Sequence, residues 1–127
     1  MATTPPSPVP PDGPGTELFT DGKTSGEGSY AGGLRQGAWR FYYRNGQLKA
    51  AGSYLAGELD GYWEWHREGG GFLQHGSFMD QVQDGEWTRY HSTGAVLDHG
   101  WYARGRKTGE WVTYGPDGVE TRRKTYR

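Results

Sequence analysis

The side chains with catalytic or metal-binding potential are few, and most keep step with one another. Histidine comes first, as metal ligand or proton carrier: His66, His75, His91 and His99. His75 and His99 stand 24 residues apart. On alternate strands of a sheet that step is about 9.6 Å, too far to share one ion. His66 and His75 meet only if a hairpin folds between them, and a zinc site takes three or four groups. No third ligand is in view. Asp60 and Asp84 raise the question of glycoside hydrolysis, but the same step sets them about 10 Å apart, beyond the roughly 6.5–9.5 Å of inverting enzymes. Both sit beside turn glycines, where a carboxylate stays solvated. Gly22-Lys23-Thr24 has the ending of a phosphate loop, yet Glu17 occupies the leading glycine position and no helix can follow. Gly26-Glu27-Gly28-Ser29-Tyr30-Ala31 runs into Gly32-Gly33 where a dinucleotide fold needs a helix. The chain contains no cysteine, and no serine stands in a triad motif. The chemistry expected is therefore none: no catalytic residue, no metal, no cofactor.

What positions these residues is an internal repeat. Gly28, Gly52, Gly76 and Gly100 recur every 24 residues, each followed two places on by Tyr30, Tyr54, Phe78 and Tyr102. Gly37, Gly61, Gly85 and Gly109 keep the same step and precede Trp39, Trp63, Trp87 and Trp111. Tyr42, His66, Tyr90 and Tyr114 come next, then Gly46, Gly70, Gly94 and Gly118. No gap is needed in any copy, and a fixed period of this length marks a repeat architecture.

Each unit reads as a β-hairpin. Asp21-Gly22, Asn45-Gly46, Thr93-Gly94 and Asp117-Gly118 are tight-turn dipeptides. Around the second of these, Trp39, Phe41 and Tyr43 alternate with Ala38, Arg40 and Tyr42, a period of two and hence strand. A two-residue turn at Asn45-Gly46 sets Trp39 opposite Gly52, so that the indole covers a residue without a side chain. A three-residue loop moves that pairing by one. Short second turns, Gly33-Leu34-Arg35-Gln36-Gly37 and its copies, link successive hairpins. Helix is disfavoured by glycines that cost about 1 kcal/mol each in a helix interior. The expected fold is all-β: a single-layer, twisted antiparallel meander of about 4.5 hairpin repeats, with around nine strands, about 43 Å long. The tryptophan column and the column of Tyr30, Tyr54, Phe78 and Tyr102 are its expected core.

The pattern Gly-x-Tyr-x-x-Gly-x-x-x-Gly-x-Trp-x-x-Tyr-x-x-x-Gly, in Gly28–Gly46 and again in Gly100–Gly118, resembles the MORN repeat (membrane occupation and recognition nexus). In particular it resembles the bacterial variant of the YwqK-family antitoxins, in which Gly-x-Trp precedes Tyr and an Asn-Gly turn. The likeness spans about residues 17–120. It implies an elongated hairpin array without catalytic residues that binds protein, neutralises a partner as an antitoxin does, or associates with a membrane surface. The chain departs from the pattern at Gln81, where other copies have Gly33, Gly57 and Gly105, and at His66 in the tyrosine column. The first departure predicts a distorted third turn, the second a special surface.

Function is expected where repeats differ. Tyr62, Trp65, Met79 and Trp101, with Leu55, break the columns with large apolar groups, a mark of a partner-binding surface that His66, the departure in the tyrosine column, joins. Charge is uneven: residues 52–100 carry eight carboxylates against Arg67 and Arg89, and residues 101–127 carry seven bases against three acids. The basic end (Arg104, Arg106, Lys107, Arg122, Arg123, Lys124 and Arg127) suits anionic phospholipid as the alternative partner. Nucleic acid is not expected, because Lys and Arg do not interleave with the aromatics and the centre is acidic. Residues 1–15 hold six of the seven prolines and no aromatic, which predicts a disordered Pro-rich tail before a repeat domain at 16–127. Met1-Ala2-Thr3-Thr4-Pro5-Pro6 has neither a charged nor an apolar leader region. A cytoplasmic location follows as the expectation, with the chain either a monomer or an oligomer paired through open strand edges.

Overall fold

The computed structural model describes residues 8–127. Ten strands form one sheet: β1 (Gly13–Leu18), β2 (Thr24–Ala31), β3 (Leu34–Tyr42), β4 (Leu48–Leu55), β5 (Glu58–His66), β6 (Phe72–Met79), β7 (Val82–Tyr90), β8 (Val96–Ala103), β9 (Arg106–Tyr114) and β10 (Glu120–Tyr126). They lie in chain order and every neighbouring pair is antiparallel. This is the expected single-layer meander, with ten strands rather than about nine. The extra strand comes from the proline-rich segment. Gly13 pairs with Tyr30, Pro14 with Ser29 and Gly15 with Gly28, so the sheet begins at Gly13 and not after residue 15. Proline is tolerated there because β1 is an edge strand. Residues 1–7 of the expected tail lie outside the described residues.

Two kinds of turn alternate. On one edge of the sheet the loops have three residues, as at Arg44-Asn45-Gly46. There Gly46 N–H donates to Tyr43 O at 2.9 Å and Tyr43 N–H to Gln47 O at 2.9 Å, with Gly46 at φ 88°. The same closure recurs at 20–22, 68–70, 92–94 and 116–118. Trp39 nevertheless pairs with Gly52, because the register slips once more between Phe41 and Tyr42 and cancels the extra loop residue. On the other edge the loops have two residues with positive φ at both, as at Ala56-Gly57 (50°, 84°) and Arg104-Gly105 (52°, 81°), the twist-matched form for a tight hairpin. Leu34, Arg35 and Gln36 therefore belong to β3 and not to a turn. The third such turn is regular: Asp80 and Gln81 adopt 49° and 71°. Gln81 follows its copies into the left-handed region, where a side chain costs about 1–2 kcal/mol, and no distortion results.

Between these turns each odd strand from β3 to β9 carries a bulge. From Glu27 to Ser29 on β2 the ladder spans Arg40 to Gln36 on β3, with Gly37 at φ 73°. The bulge swings the tryptophan back over the strand before it. A Cβ placed on Gly28 would lie 2.3 Å from Trp39 Cδ2, and on Gly52, Gly76 and Gly100 it would lie 2.1 Å from the same atom of Trp63, Trp87 and Trp111. Each indole thus covers the preceding glycine of its column, not the following one with which it is in register. The ring nitrogens hold that position: Nε1 of Trp39, Trp63, Trp87 and Trp111 donates to the carbonyls of Ser29, Ser53, Ser77 and Trp101 at 2.8–3.0 Å. These four indoles are the core, at 1–6% exposure, with Tyr30, Tyr54, Phe78 and Tyr102 half-buried and edge-on against them at 5.1–5.3 Å.

Candidate binding surface

Side chains alternate across a strand, so the sheet has an indole face and an opposite face. On the indole face the rings of Trp39, Phe41, Trp63, Trp65 and Trp87 stack in sequence, with centroids 5.7, 6.4, 5.8 and 6.0 Å apart and planes 20–27° from parallel. Trp65 occupies the position that Phe41 holds one repeat earlier and is half-buried between two core indoles. It belongs to the packing, not to an exposed surface. The stack ends at the next copy of that position, Arg89, whose guanidinium donates to Asp98 Oδ1 at 2.9 Å and Oδ2 at 2.5 Å. Asp98 is buried, and its hydrogen bonds, more than its charge, push the Arg89 pKa up. At the N-terminal end Glu17 accepts from Arg35 at 2.5 and 3.0 Å and from Tyr30 at 2.8 Å. The Arg35 hydrogen bonds hold the Glu17 carboxyl below its usual range.

The opposite face carries a second aromatic cluster. His66 stacks on Phe72 (centroids 4.7 Å, planes 28°) and Phe72 on Tyr90 (5.6 Å, 25°). His75 meets Phe72 edge-on at 5.2 Å, and Tyr62 lies 6.0 Å from His75. Tyr90 O–H reaches His75 Nε2 at 2.7 Å. Burial pushes the His75 pKa down. Glu64 stands between the flanking groups, 3.2 Å from His66 Nε2 and 3.3 Å from the Tyr62 hydroxyl. The row of paired residues Glu64, His75, Thr88 and His99 runs on across β5 to β8. At its end His99 meets Glu86 at 2.6 Å, and Trp101 stands opposite Glu86. Tyr62 is 52% and Trp101 48% exposed.

The expected binding residues therefore divide. Tyr62, His66 and Trp101 share one face; Trp65 lies behind it in the ring stack. Met79 flanks the Asp80-Gln81 turn on the sheet edge, as Leu55 does one repeat earlier, both exposed. The sequence reading missed Glu64, Phe72, His75 and Tyr90. The period of two already sets Tyr62, Glu64 and His66 on one side and Trp63 and Trp65 on the other.

The basic residues do not form one surface either. Lys107, Arg122 and Lys124 surround a pocket on the indole face with Trp111 and Tyr126, where Lys107 Nζ lies 4.6 Å from the Trp111 ring and Lys124 Nζ 4.8 Å from that of Tyr126. Arg123 is paired with Glu110 and Glu120, and Arg104 sits in a two-residue turn with Arg106 just beyond it. Among the described residues no group of three or more His, Cys, Asp or Glu side chains is arranged to hold a metal ion, and no helix is long and apolar enough to cross a membrane.

A family model described as "MORN repeat variant" matches residues 35–56, which is β3, its three-residue loop and β4. No curated protein sequence matches the chain. Among solved structures, "Crystal structure of GtfA/B complex bound to UDP and GlcNAc" is similar at 14% identity and a TM-score of 0.30, covering 94% of this chain and 25% of that one. The present chain spans a quarter of that chain's length, and a likeness so slight carries no argument about fold or activity.

Proposed function

We propose that this chain is a non-catalytic module that binds a protein partner on the face of Tyr62, His66, Phe72 and Trp101. The observation that carries the reading is that two of these rings, Tyr62 and Trp101, are surplus to the repeat. Tyr62 stands where the other copies have Ala38, Glu86 and Glu110, and Trp101 where they have Ser29, Ser53 and Ser77. A large exposed ring that no packing rule requires is a mark of an interface centre, and aromatics are enriched there. Glu64 and Glu86 flank the patch, so the complementary partner surface is apolar with a rim of Lys or Arg. The MORN-variant match over one repeat agrees with a binding module. Neutralisation of that partner, as by the YwqK-family antitoxins, is the finer form of the proposal. A cytoplasmic setting completes it, since a cysteine-free fold needs no oxidising compartment.

The test is capture from the native cell extract by the full chain, run beside Tyr62→Ala and Trp101→Ala. A protein retained by the wild type and lost from both variants, with unchanged melting temperatures, is the expected result. A partner held equally by all three chains overturns the choice of face. The second reading rests on Lys107, Arg122 and Lys124 around Tyr126, which suit anionic headgroups with a ring at the interface. Sedimentation with anionic vesicles at low and high salt separates the two: salt-sensitive capture by vesicles, with no protein retained from extract, replaces the first reading by the second.

A further inference from the structure

Two columns of the repeat change chemistry together from copy to copy. One holds Glu17, Phe41, Trp65 and Arg89; the other holds Arg35, Leu59, Gln83 and Lys107. In the first copy a carboxylate meets a cation, Glu17 accepting from Arg35 at 2.5 and 3.0 Å. In the second and third copies a ring fills the place: Phe41 stacks between Trp39 and Trp63, and Trp65 between Trp63 and Trp87. In the fourth copy both residues are cations. Arg89 is drawn to the buried Asp98, which accepts from it at 2.9 and 2.5 Å. Lys107 lies with Nζ 4.6 Å from the Trp111 ring and enters none of the ion pairs or hydrogen bonds among the described residues.

The place that Phe41 and Trp65 fill in their own copies is in the fourth a cleft of about 250 Å³. Trp87 and Trp111 line it. Tyr102 stands edge-on to both indoles, with centroids 5.9 and 5.2 Å away and planes 78° and 81° apart. Tyr54 stands in the same way to Trp39 and Trp63, beside the Phe41 ring, so the tyrosine leaves room for a ring. The Arg89–Asp98 pair and Lys107 complete the lining, with Gln74 and Gln83. Two indoles and a ring edge suit a flat aromatic group. The Arg89–Asp98 pair is neutral as a unit, so the Lys107 ammonium sets the charge that the cleft favours, which is negative. The geometry points to this cleft as a binding site for a small planar aromatic carboxylate, its ring between Trp87 and Trp111 and its carboxylate on Lys107. Such a ligand unites the ring of Phe41 and Trp65 with the carboxylate of Glu17. Trp65, at the matching position one repeat earlier, sets the size at two fused rings. The cleft opens on the indole face, so the site stands or falls separately from the partner on the Tyr62 face.

Titration of the isotope-labelled full chain with naphthoate, read at the tryptophan Nε1–H signals by NMR, tests the proposal. Those of Trp87 and Trp111 should shift and saturate with a Kd of about 1 mM or below, while those of Trp39 and Trp63 stay in place. Naphthylmethanol has the ring without the charge, and cyclohexanecarboxylate the charge without the flat ring. Each should bind about tenfold more weakly or worse. Lys107→Met should lose about tenfold in affinity for naphthoate and nothing for the alcohol. Arg89→Trp with Asp98→Gln repeats the pairing of Trp65 with Gln74 and should fill the cleft and abolish binding. Lys107→Met, which leaves the Arg89–Asp98 pair intact, carries the test should that double variant fold poorly. Shifts spread evenly over the four core indoles, no saturation by about 10 mM, cyclohexanecarboxylate bound as tightly as naphthoate, or a Lys107→Met chain that binds naphthoate as the wild type does overturns it.

Discussion

At Gly76 the exchange of one hydrogen for a methyl group would place a Cβ 2.1 Å from Trp87 Cδ2, and the indole cannot retreat while its Nε1 donates to Ser77 O at 3.0 Å. Gly76→Ala should therefore cost about 2–3 kcal/mol through overpacking, read as a lower urea midpoint at unchanged slope. The glycine and tryptophan columns, and even the pairing of Trp39 with Gly52, are legible in the spacing alone. The direction in which the ring leans is not, because the bulge at Gly37 decides it and a bulge leaves no mark beyond one more glycine. His75 offers a second test at this scale. Its pKa in the fold lies below the ordinary 6.5 because burial disfavours the charged ring. Above 6.5 the ring is neutral in both states and costs nothing. As pH falls through 6.5 the unfolded chain takes up its proton first, so stability declines until the lower folded value is passed. His75→Gln should flatten that part of the stability-against-pH curve. An NMR titration of the wild type should find this ring protonating below 6.5.

Among the elements, the turns show how far pattern carries. Asn-Gly and Asp-Gly mark their places correctly. Loop length does not follow from the dipeptide, because a second register slip hides the third loop residue from any count of pairings. Likewise Leu34-Arg35-Gln36 looks like turn material only until Gly32-Gly33 takes the two positive-φ positions. Pro14 reads as tail by composition, and only its place on an edge strand allows it into the sheet. Gln81 is the one glycine-column departure in these turns, held at φ 71°. Gln81→Gly should stabilise the protein by about 1 kcal/mol by removing that strain, and Gly105→Ala at the matching site should cost about as much. Thermal melts of the two variants should shift in opposite directions.

For the whole molecule, a single layer has two faces, and their division of labour was only half legible. Composition indicates ring-on-glycine packing, and the repeat fixes the order of strands. Which surplus rings are exposed depends on parity along β5, and the cluster around Phe72 depends on the hairpin that brings His66 and His75 to its two sides. Trp65→Ala should destabilise the sheet by about 2–3 kcal/mol, because it breaks the stack between Trp63 and Trp87. Tyr62→Ala should leave the melting temperature within error while abolishing partner capture. Beneath all of this lies the claim that each indole roofs the glycine of the strand before it, which makes one face a core and frees the other for binding. Nuclear Overhauser contacts between the Gly52 α-protons and the tryptophan rings examine it directly. Strong contacts to the Trp63 indole, with ring-current shifts of those α-protons, are predicted; contacts to Trp39 in their place, or none to either ring, would contradict it.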